Sequence, residues 1–254
     1  MDASLRGVTV LVTGATGGIG GELVGRLLAC GARVVAHGRD AARMRDLGAA
    51  AAVVGDFASL ADVARVAREV RAVDVLVNNA GVGFGADRAR RETSRDGFEL
   101  RFAVNYLAPF LLSELLASRA IVNVASAGQA PLDEADLMSE RGYDGVLAYR
   151  RSKFALVMDT FERARRDPSR RCVALHPGTF LATRMVIDAG IAPQGTAAEG
   201  AAAVLAAVER VLAGETGLYL DREREARADP AAYDASAQAR LRERALALTA
   251  PFRR

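Results

Sequence analysis

Seven short, continuously apolar runs separated by longer amphipathic stretches most restrict how these 254 residues can fold. The runs are VTVLVTG (8–14), RVVAHGR (33–39), AAVVGD (51–56), DVLVNNAG (74–81), AIVNVAS (120–126), RCVALHPG (171–178) and GLYLD (217–221). A strand with one wet face alternates polar and apolar residues, whereas a strand covered on both faces reads as an unbroken apolar run. Helical candidates lie between them, at 19–30, 41–47, 60–70, 94–118, 146–166 and 196–212. Alternation of this kind joins parallel strands through right-handed crossovers. The predicted fold class is α/β: a single Rossmann-like, doubly wound domain, a seven-stranded parallel sheet with helices on both faces. No linker rich in Gly, Pro or Ser divides the chain. The charged stretch 222–244 reads as a surface loop and terminal helix with a solvated face.

The first run ends in TGATGGIG (13–20), which opens directly into the first helix. Gly14, Gly18 and Gly20 permit a tight turn, close approach of backbone to a pyrophosphate, and close packing of helix on strand. Thr16 and Ile19 lie in the same turn, and the N–H groups of the helix start face the phosphates. At the end of the second run, an acid would bind the adenosine ribose of NAD and repel a 2′-phosphate. The sequence there is AHGRD. Gly38 stands where that acid is expected, and Arg39, a side chain able to grip phosphate with two N–H groups, follows it. Asp40 comes one position late for the NAD role. The expected cofactor is NADP(H).

A second short stretch carries chemistry. In AYRRSKFAL (148–156), Tyr149 and Lys153 stand one helical turn apart and share a face. Alone, such a pair is an ordinary helix feature. An unperturbed phenol titrates near pH 10, and a neighbouring ammonium favours its ionised form, which suits a group that exchanges a proton near neutrality.

In order along the chain come TGATGGIG, Asp56 in GDFA, NNAG (78–81), Asn105 in VNYLAPF, Ser126 in VNVASAG, YRRSK (149–153) and HPG (176–178). Together they make the chain resemble the short-chain dehydrogenases/reductases over essentially its whole length. DLMSERGYDGVLAYRRSKFALVM, LHPGTF and TGLYLD are similar to the retinol-dehydrogenase-like branch, in which a longer insertion separates the serine from the tyrosine. The resemblance implies a catalytic set of Asn105, Ser126, Tyr149 and Lys153. Tyr149 would exchange the proton with the substrate oxygen. Lys153 would hold the nicotinamide ribose and lower the tyrosine pKa. Ser126 would bind the substrate oxygen, and Asn105 would hold a water in the proton relay. Asn78, Ala80 and Gly81 would line the cofactor, Asp56 and Phe57 would meet the adenine, and Pro177, Gly178 and Thr179 would reach the nicotinamide side. Residues 1–125 would be mainly the cofactor half of one domain over 1–254, 126–221 the catalytic and substrate half, and 222–254 a C-terminal loop and helix.

Three departures from the family pattern stand out. The segment ELLASRAIVNV spends few residues between the helix after Asn105 and the next strand, in a helix that commonly forms the family's dimer interface, so a homo-oligomer is left open. The threonine expected after HPG arrives late, as Thr183, with Thr179 as its partial substitute. Arg150 and Arg151 stand between Tyr149 and Ser152 and are expected to face away from the site.

Net charge is +3 and no basic stripe is interleaved with aromatics, so nucleic-acid binding is not indicated. Cys30 and Cys172 form no metal or disulfide spacing, and no metal site is expected. MDASLRGVTVLVTG is too short for a signal peptide and no apolar run spans a membrane, which predicts a soluble cytoplasmic protein. His37 and His176 read as structural or cofactor-side residues. The substrate pocket is expected from 127–146 and 180–194, where Leu132, Leu137, Met138, Phe180, Leu181, Met185, Val186 and Ile187 imply either an apolar small-molecule substrate or merely an apolar lid core. The leading expectation is an NADP-dependent oxidoreductase acting on a ketone, aldehyde or alcohol. The Ala- and Arg-rich composition suggests a G+C-rich bacterial genome, where such enzymes often tailor secondary metabolites. Reduction of an activated C=C bond, and a catalytically silent NADP-binding sensor or scaffold, are the alternatives; the complete catalytic set speaks against the silent protein.

Overall fold

The apolar runs become strands β1 (Thr9–Val12), β2 (Arg33–Gly38), β3 (Ala51–Val54), β4 (Ala72–Asn78), β5 (Ala117–Val124), β6 (Arg171–His176) and β7 (Leu218–Asp221), joined by β8 (Arg224–Ala226). The computed structural model describes residues 4–253; residues 1–3 and 254 of the expected 1–254 domain lie outside the described residues. One sheet runs β3-β2-β1-β4-β5-β6-β7-β8. Its first seven strands are parallel and β8 is antiparallel to β7. The helices are α1 (Gly18–Ala29), α2 (Ala41–Met44), α3 (Leu60–Val70), α4 (Leu100–Phe102), α5 (Ala108–Leu115), α6 (Gly145–Arg166), α7 (Arg184–Asp188), α8 (Ala197–Ala213) and α9 (Ala235–Thr249).

The unbroken apolar runs are explained by cover on both faces. Leu11, Leu76, Ile121, Cys172 and Tyr219 point into the core shared with α3, α5, α6 and α9. Val10, Val12, Val75, Val77, Val122, Val173 and Leu220 point into the core shared with α1 and α8. Neighbouring residues alternate between the two cores because successive strand side chains take opposite faces. Local chemistry starts the helices: Ser59 caps α3, Asp144 caps α6, and Thr196 with Glu199 forms a capping box on α8.

Three expectations need correction. The sheet has eight strands, because Arg222 (φ 55) and Glu223 close a hairpin that returns the chain as β8. Neither residue carries the Gly or Asn signal of such turns. The helix expected over 94–118 starts only at Leu100, after a turn through Gly97 (φ 84) and a cap from Glu99. It passes through a π-helical turn, Ala103–Leu107, and ends at Leu115. One residue, Leu116, separates it from β5; Arg170 donates to the Leu116 carbonyl (2.8 Å) and so satisfies the helix end.

The C-terminal helix also departs from the solvated reading. Gln238, Leu241, Ala245 and Thr249 of α9 are buried against the rest of the chain. Charge holds this cover in place. Glu114 of α5 takes Arg163 of α6 at 2.7 Å, Arg242 of α9 at 3.1 Å and Arg253 at 3.4 Å. Arg163 also meets Asp159 at 2.6 Å and is 3% exposed. Burial raises the Glu114 carboxyl, but the arginines outweigh it and hold its pKa down, at about 2.

Glu114→Gln leaves the buried Arg163 short of one anion, a change typically costing about 3–5 kcal/mol for a buried pair. We expect a lower urea midpoint at neutral pH. Because the folded pKa lies below the ordinary 4.5, the contribution is complete above pH 4.5 and is lost as pH falls towards 2. Urea titrations of both proteins across that window should converge; parallel curves would contradict the assignment.

Candidate active site

Strand order reverses between β1 and β4, and a cleft of about 610 Å³ opens there, at the carboxyl ends of the strands. Its floor is the turn between β1 and α1. Gly14 has φ 68, and a Cβ on it would lie 3.0 Å from the Ala80 Cα. Gly18 has φ 54, with Thr183 standing 3.2 Å from where its Cβ would be. A Cβ on Gly20 would collide with the Gly14 carbonyl, so Gly20 serves helix–strand packing and does not line the cleft. Two side chains outside the glycines brace the turn. Asn79 donates from Nδ2 to the carbonyls of Thr13 (2.8 Å) and Gly14 (3.2 Å). His37 accepts from the Gly14 N–H at Nδ1 (3.4 Å) and donates from Nε2 to the Gly55 carbonyl (3.1 Å). Burial lowers the His37 pKa to about 4, so the imidazole is neutral and can make both bonds.

At one end of the cleft lie Arg39 and Arg43. The Arg43 guanidinium comes within 3.5 Å of the position a Cβ on Gly17 would take. Asp40 turns back on its own helix and accepts from Ala42 N–H at 2.8 Å. Gly38 is bare for a steric reason, since a Cβ there would meet the Thr16 methyl at 2.6 Å.

In the middle of the cleft, α6 delivers Tyr149 and Lys153 beside Ser126, which follows β5. Ser126 accepts from the Gly128 N–H at 3.0 Å, leaving its own proton for the Tyr149 oxygen. Burial raises the phenol pKa and the Ser126 hydrogen bond pulls it back. Lys153 is 4% exposed, donates to the Val124 carbonyl at 2.8 Å, and is lowered to about 8 by burial. Its Nζ lies 6.0 Å from the Tyr149 ring centroid. The Ser126 hydroxyl is the group whose hydrogen bond pulls the Tyr149 pKa down here. Phe84 meets the Tyr149 ring edge-on at 4.9 Å.

Asn105 is brought to this machinery without lining the cleft. From the π-helical turn its Oδ1 accepts from Val82 N–H (2.8 Å), while Nδ2 donates to the Val82 carbonyl (3.0 Å) and Ser152 Oγ (3.0 Å). Ser152 in turn donates to the Tyr149 carbonyl at 2.7 Å. Both Nδ2 donor positions are engaged, so the side chain braces the Tyr149 turn.

Of the remaining predicted residues, Thr16, Ile19, Ala80, Gly81, Pro177 and Gly178 line the cleft, as do both Thr179 and Thr183. Asn78 does not. It is buried between β4 and β5, donating to Asn123 (2.8 Å) and Ser113 (3.3 Å), and its neighbour Asn79 takes the cleft position. Asp56 pairs with Arg95 (3.2 Å) and Phe57 stacks on His37 (4.0 Å), both off the cleft walls. His176 lines the cleft and bonds Thr179 through Nε2 (3.1 Å). Phe180, Leu181, Met185 and Val186 line it as expected, but Ile187 is 59% exposed and is not a wall. Leu132 and Leu137 line a separate cavity of about 220 Å³ between α6 and α9, and Met138 packs on the core. Arg150 faces the cleft rather than away from it. Arg43, Asn79 and Phe84 were not singled out by sequence; only Arg43 carries a signal, one turn beyond Arg39.

A family model described as short chain dehydrogenase matches residues 8–192. A protein from Streptomyces sp. named as a candidate daunorubicin C-13 ketoreductase is 39% identical over 194 residues, 68% of this chain and 66% of that one. Human retinol dehydrogenase 13 is 35% identical over 205 residues, 69% of this chain and 60% of its own length. The chain thus spans less than two thirds of these curated relatives. Among solved structures, an uncharacterised Mycobacterium paratuberculosis protein aligns with a TM-score of 0.80 at 29% identity, covering 98% of this chain and 95% of that one. The Pseudomonas aeruginosa RhlG/NADP active-site complex aligns at 0.68 and 28%, covering 86% and 95%. Among the described residues no helix is long and apolar enough to cross a membrane.

The His37 brace has a pH signature. A folded pKa near 4 against the ordinary 6.5 means that the unfolded chain binds the proton first. Stability is then complete above pH 6.5 and falls as pH drops from 6.5 to 4. An NMR titration of the His37 ring should give a midpoint near 4, and His37→Gln should flatten that part of the stability profile. A midpoint near 6.5 would contradict the buried, neutral assignment.

Proposed function

The chain belongs to the short chain dehydrogenase family, and from that premise we propose that it is an NADP(H)-dependent oxidoreductase interconverting a carbonyl group and an alcohol on an apolar small molecule. The observation that carries the reading is the convergence of Ser126, Tyr149 and Lys153 on a cleft whose floor is bare glycine backbone.

The residues present fit a dinucleotide. Backbone without side chains gives the pyrophosphate its approach, and the N–H groups at the start of α1 face it. Arg39 and Arg43 supply two cations for a 2′-phosphate. No carboxylate competes there, because Thr16 excludes any side chain at position 38 and Asp40 is committed to capping α2. The cofactor, when bound, supplies or accepts the hydride. The chain's own part is to orient and to move one proton. Ser126 and Tyr149 both present hydroxyls to a carbonyl oxygen, and Tyr149 gives its proton to that oxygen in reduction or takes it in oxidation. Lys153, held on Val124, places a positive charge beneath the phenol that steadies it when the proton leaves. Asn105 and Ser152 set the height of the Tyr149 turn.

Phe84, Val146, Phe180, Met185 and Val186 make the substrate walls apolar. The named activity of the Streptomyces relative supports a ketone, and an apolar secondary metabolite is the substrate type we propose. On this reading 1–125 is mainly the cofactor half, 126–221 the catalytic and substrate half, and 222–254 the covering C-terminal segment.

NADPH should bind at least about tenfold more tightly than NADH, the worth of one charge-assisted hydrogen bond. Arg39→Ala and Arg43→Ala should each erode that ratio at fixed ionic strength. A wild type that prefers NADH would overturn the cofactor assignment. Tyr149→Phe should lower kcat at least about a hundredfold on any ketone that the wild type reduces, with NADPH affinity little changed. Turnover of NADPH by that variant at the wild-type rate would remove Tyr149 from the proton step.

A further inference from the structure

The charge of the cleft is one-sided. Its walls carry Arg39, Arg43, Lys153, Arg150 and Arg184, and no Asp or Glu. Four of these cations have work in the reading above or a partner. Arg39 and Arg43 lie at the adenosine end, and Lys153 sits on the Val124 carbonyl beneath Tyr149. Arg184 pairs with Asp188 at 3.8 Å and follows Thr183, which packs on the glycine turn. Arg150 remains, with no ion pair among the described residues.

Arg150 stands beside the reacting groups. A Cβ on Gly128 would lie 3.5 Å from Ser126 Oγ and 3.7 Å from Arg150 Cγ, so one absent side chain separates the serine hydroxyl from the arginine stem. The guanidinium is held at one corner only, through Nη2 to the Gln129 carbonyl at 2.9 Å. Gln129 is itself locked. Its Nε2 donates to the Ser126 carbonyl (3.1 Å) and its Oε1 accepts from the Asp229 N–H (3.1 Å). The same turn therefore places Ser126 and anchors Arg150 in the cleft lining, leaving its other guanidinium N–H groups without a protein acceptor among the described residues. An arginine fork matches a carboxylate.

We infer that Arg150 is a specificity-determining residue that receives a carboxylate on the substrate, so that the compound reduced is a keto acid whose carbonyl lies on Ser126 and Tyr149. This rests on the carbonyl–alcohol reading of the same site and narrows its substrate class: the body is apolar and one end is anionic. Because Arg150 is largely exposed, the gain is moderate and sensitive to salt.

The test uses matched probes: para-acetylbenzoate, benzoylformate and levulinate, each against its methyl ester. Dissociation constants are measured by calorimetry with saturating NADP+ present, for wild type and Arg150→Gln, at low and high salt. Circular dichroism and NADP+ affinity confirm that the variant is folded. We expect at least one acid to bind roughly tenfold more tightly than its ester, with the ratio shrinking in high salt and collapsing towards one in Arg150→Gln. Esters that bind as well as all three acids, a preference indifferent to salt, or a preference that survives Arg150→Gln would each overturn the inference. NADPH oxidation with the same six compounds separates the two levels. Turnover of esters without preference for acids leaves the oxidoreductase reading standing and removes the role of Arg150. An Arg150-dependent acid preference in binding without turnover keeps the role and counts against the reading.

Discussion

The hydroxyl of Thr13 ties together the two strand ends on which everything else rests. It donates to the Val77 carbonyl (3.1 Å) and accepts from the N–H groups of Asn79 (2.9 Å) and Ala80 (3.0 Å). β1 and β4 are thereby clamped at the place where the sheet changes direction, and the chain beyond each must leave in opposite senses. The glycine turn exits from one and the Ala80–Gly81 segment from the other, with the Gly14 backbone pressed against Ala80. Such contact requires missing side chains, and the same absence opens the cleft. A larger residue at Gly14 would face both the neighbouring strand and a left-handed φ.

A second layer of polar contacts carries that geometry to Tyr149 and its neighbours on α6. Asn105 joins Val82, just past β4, to Ser152 on α6. Arg101, 1% exposed, donates to the Gly83 carbonyl (3.0 Å) and the Tyr143 hydroxyl (2.8 Å), so the loop carrying Phe84 is pinned near the start of α6. Tyr149 is thus positioned from below by Asn105 and from the side by Phe84. Buried polar networks of this sort are costly when one member is lost, because the others are left dry and unpaired.

Helix α6 serves both the cleft and the outer surface. Its first turns present Tyr149, Arg150 and Lys153 to the cleft, and its far end presents Asp159, Glu162 and Arg163 to α5 and α9. The C-terminal segment belongs to the same core as α6, with Leu241 and Ala245 packed in it. A stretch dense in arginine and glutamate reads as solvent-facing, since charge normally stays in water. Here the opposite charges of Glu114, Arg163 and Arg242 satisfy one another and cover an apolar face.

The sequence alone determined what depends on composition and spacing along the chain. Unbroken apolar runs require cover on both faces, three glycines after the first strand permit a tight turn into the first helix, and a one-turn spacing puts Tyr149 and Lys153 on one helical face. All of these are local, because strand and helix periods set which side chains point together. Tertiary structure alone decided matters that depend on partners distant in sequence. It selected Asn79 over Asn78 for the cleft, since Asn123 and Ser113 claim the latter. It paired Asp56 with Arg95 and stacked Phe57 on His37, gave Leu132 and Leu137 to a second cavity, and added β8 through a turn without turn residues. It also turned Arg150 inward, because the turn after Ser126 offers the Gln129 carbonyl at the right height. A neighbour brought up by folding determines which hydrogen bond is available to each side chain, and linear spacing carries no information about that neighbour.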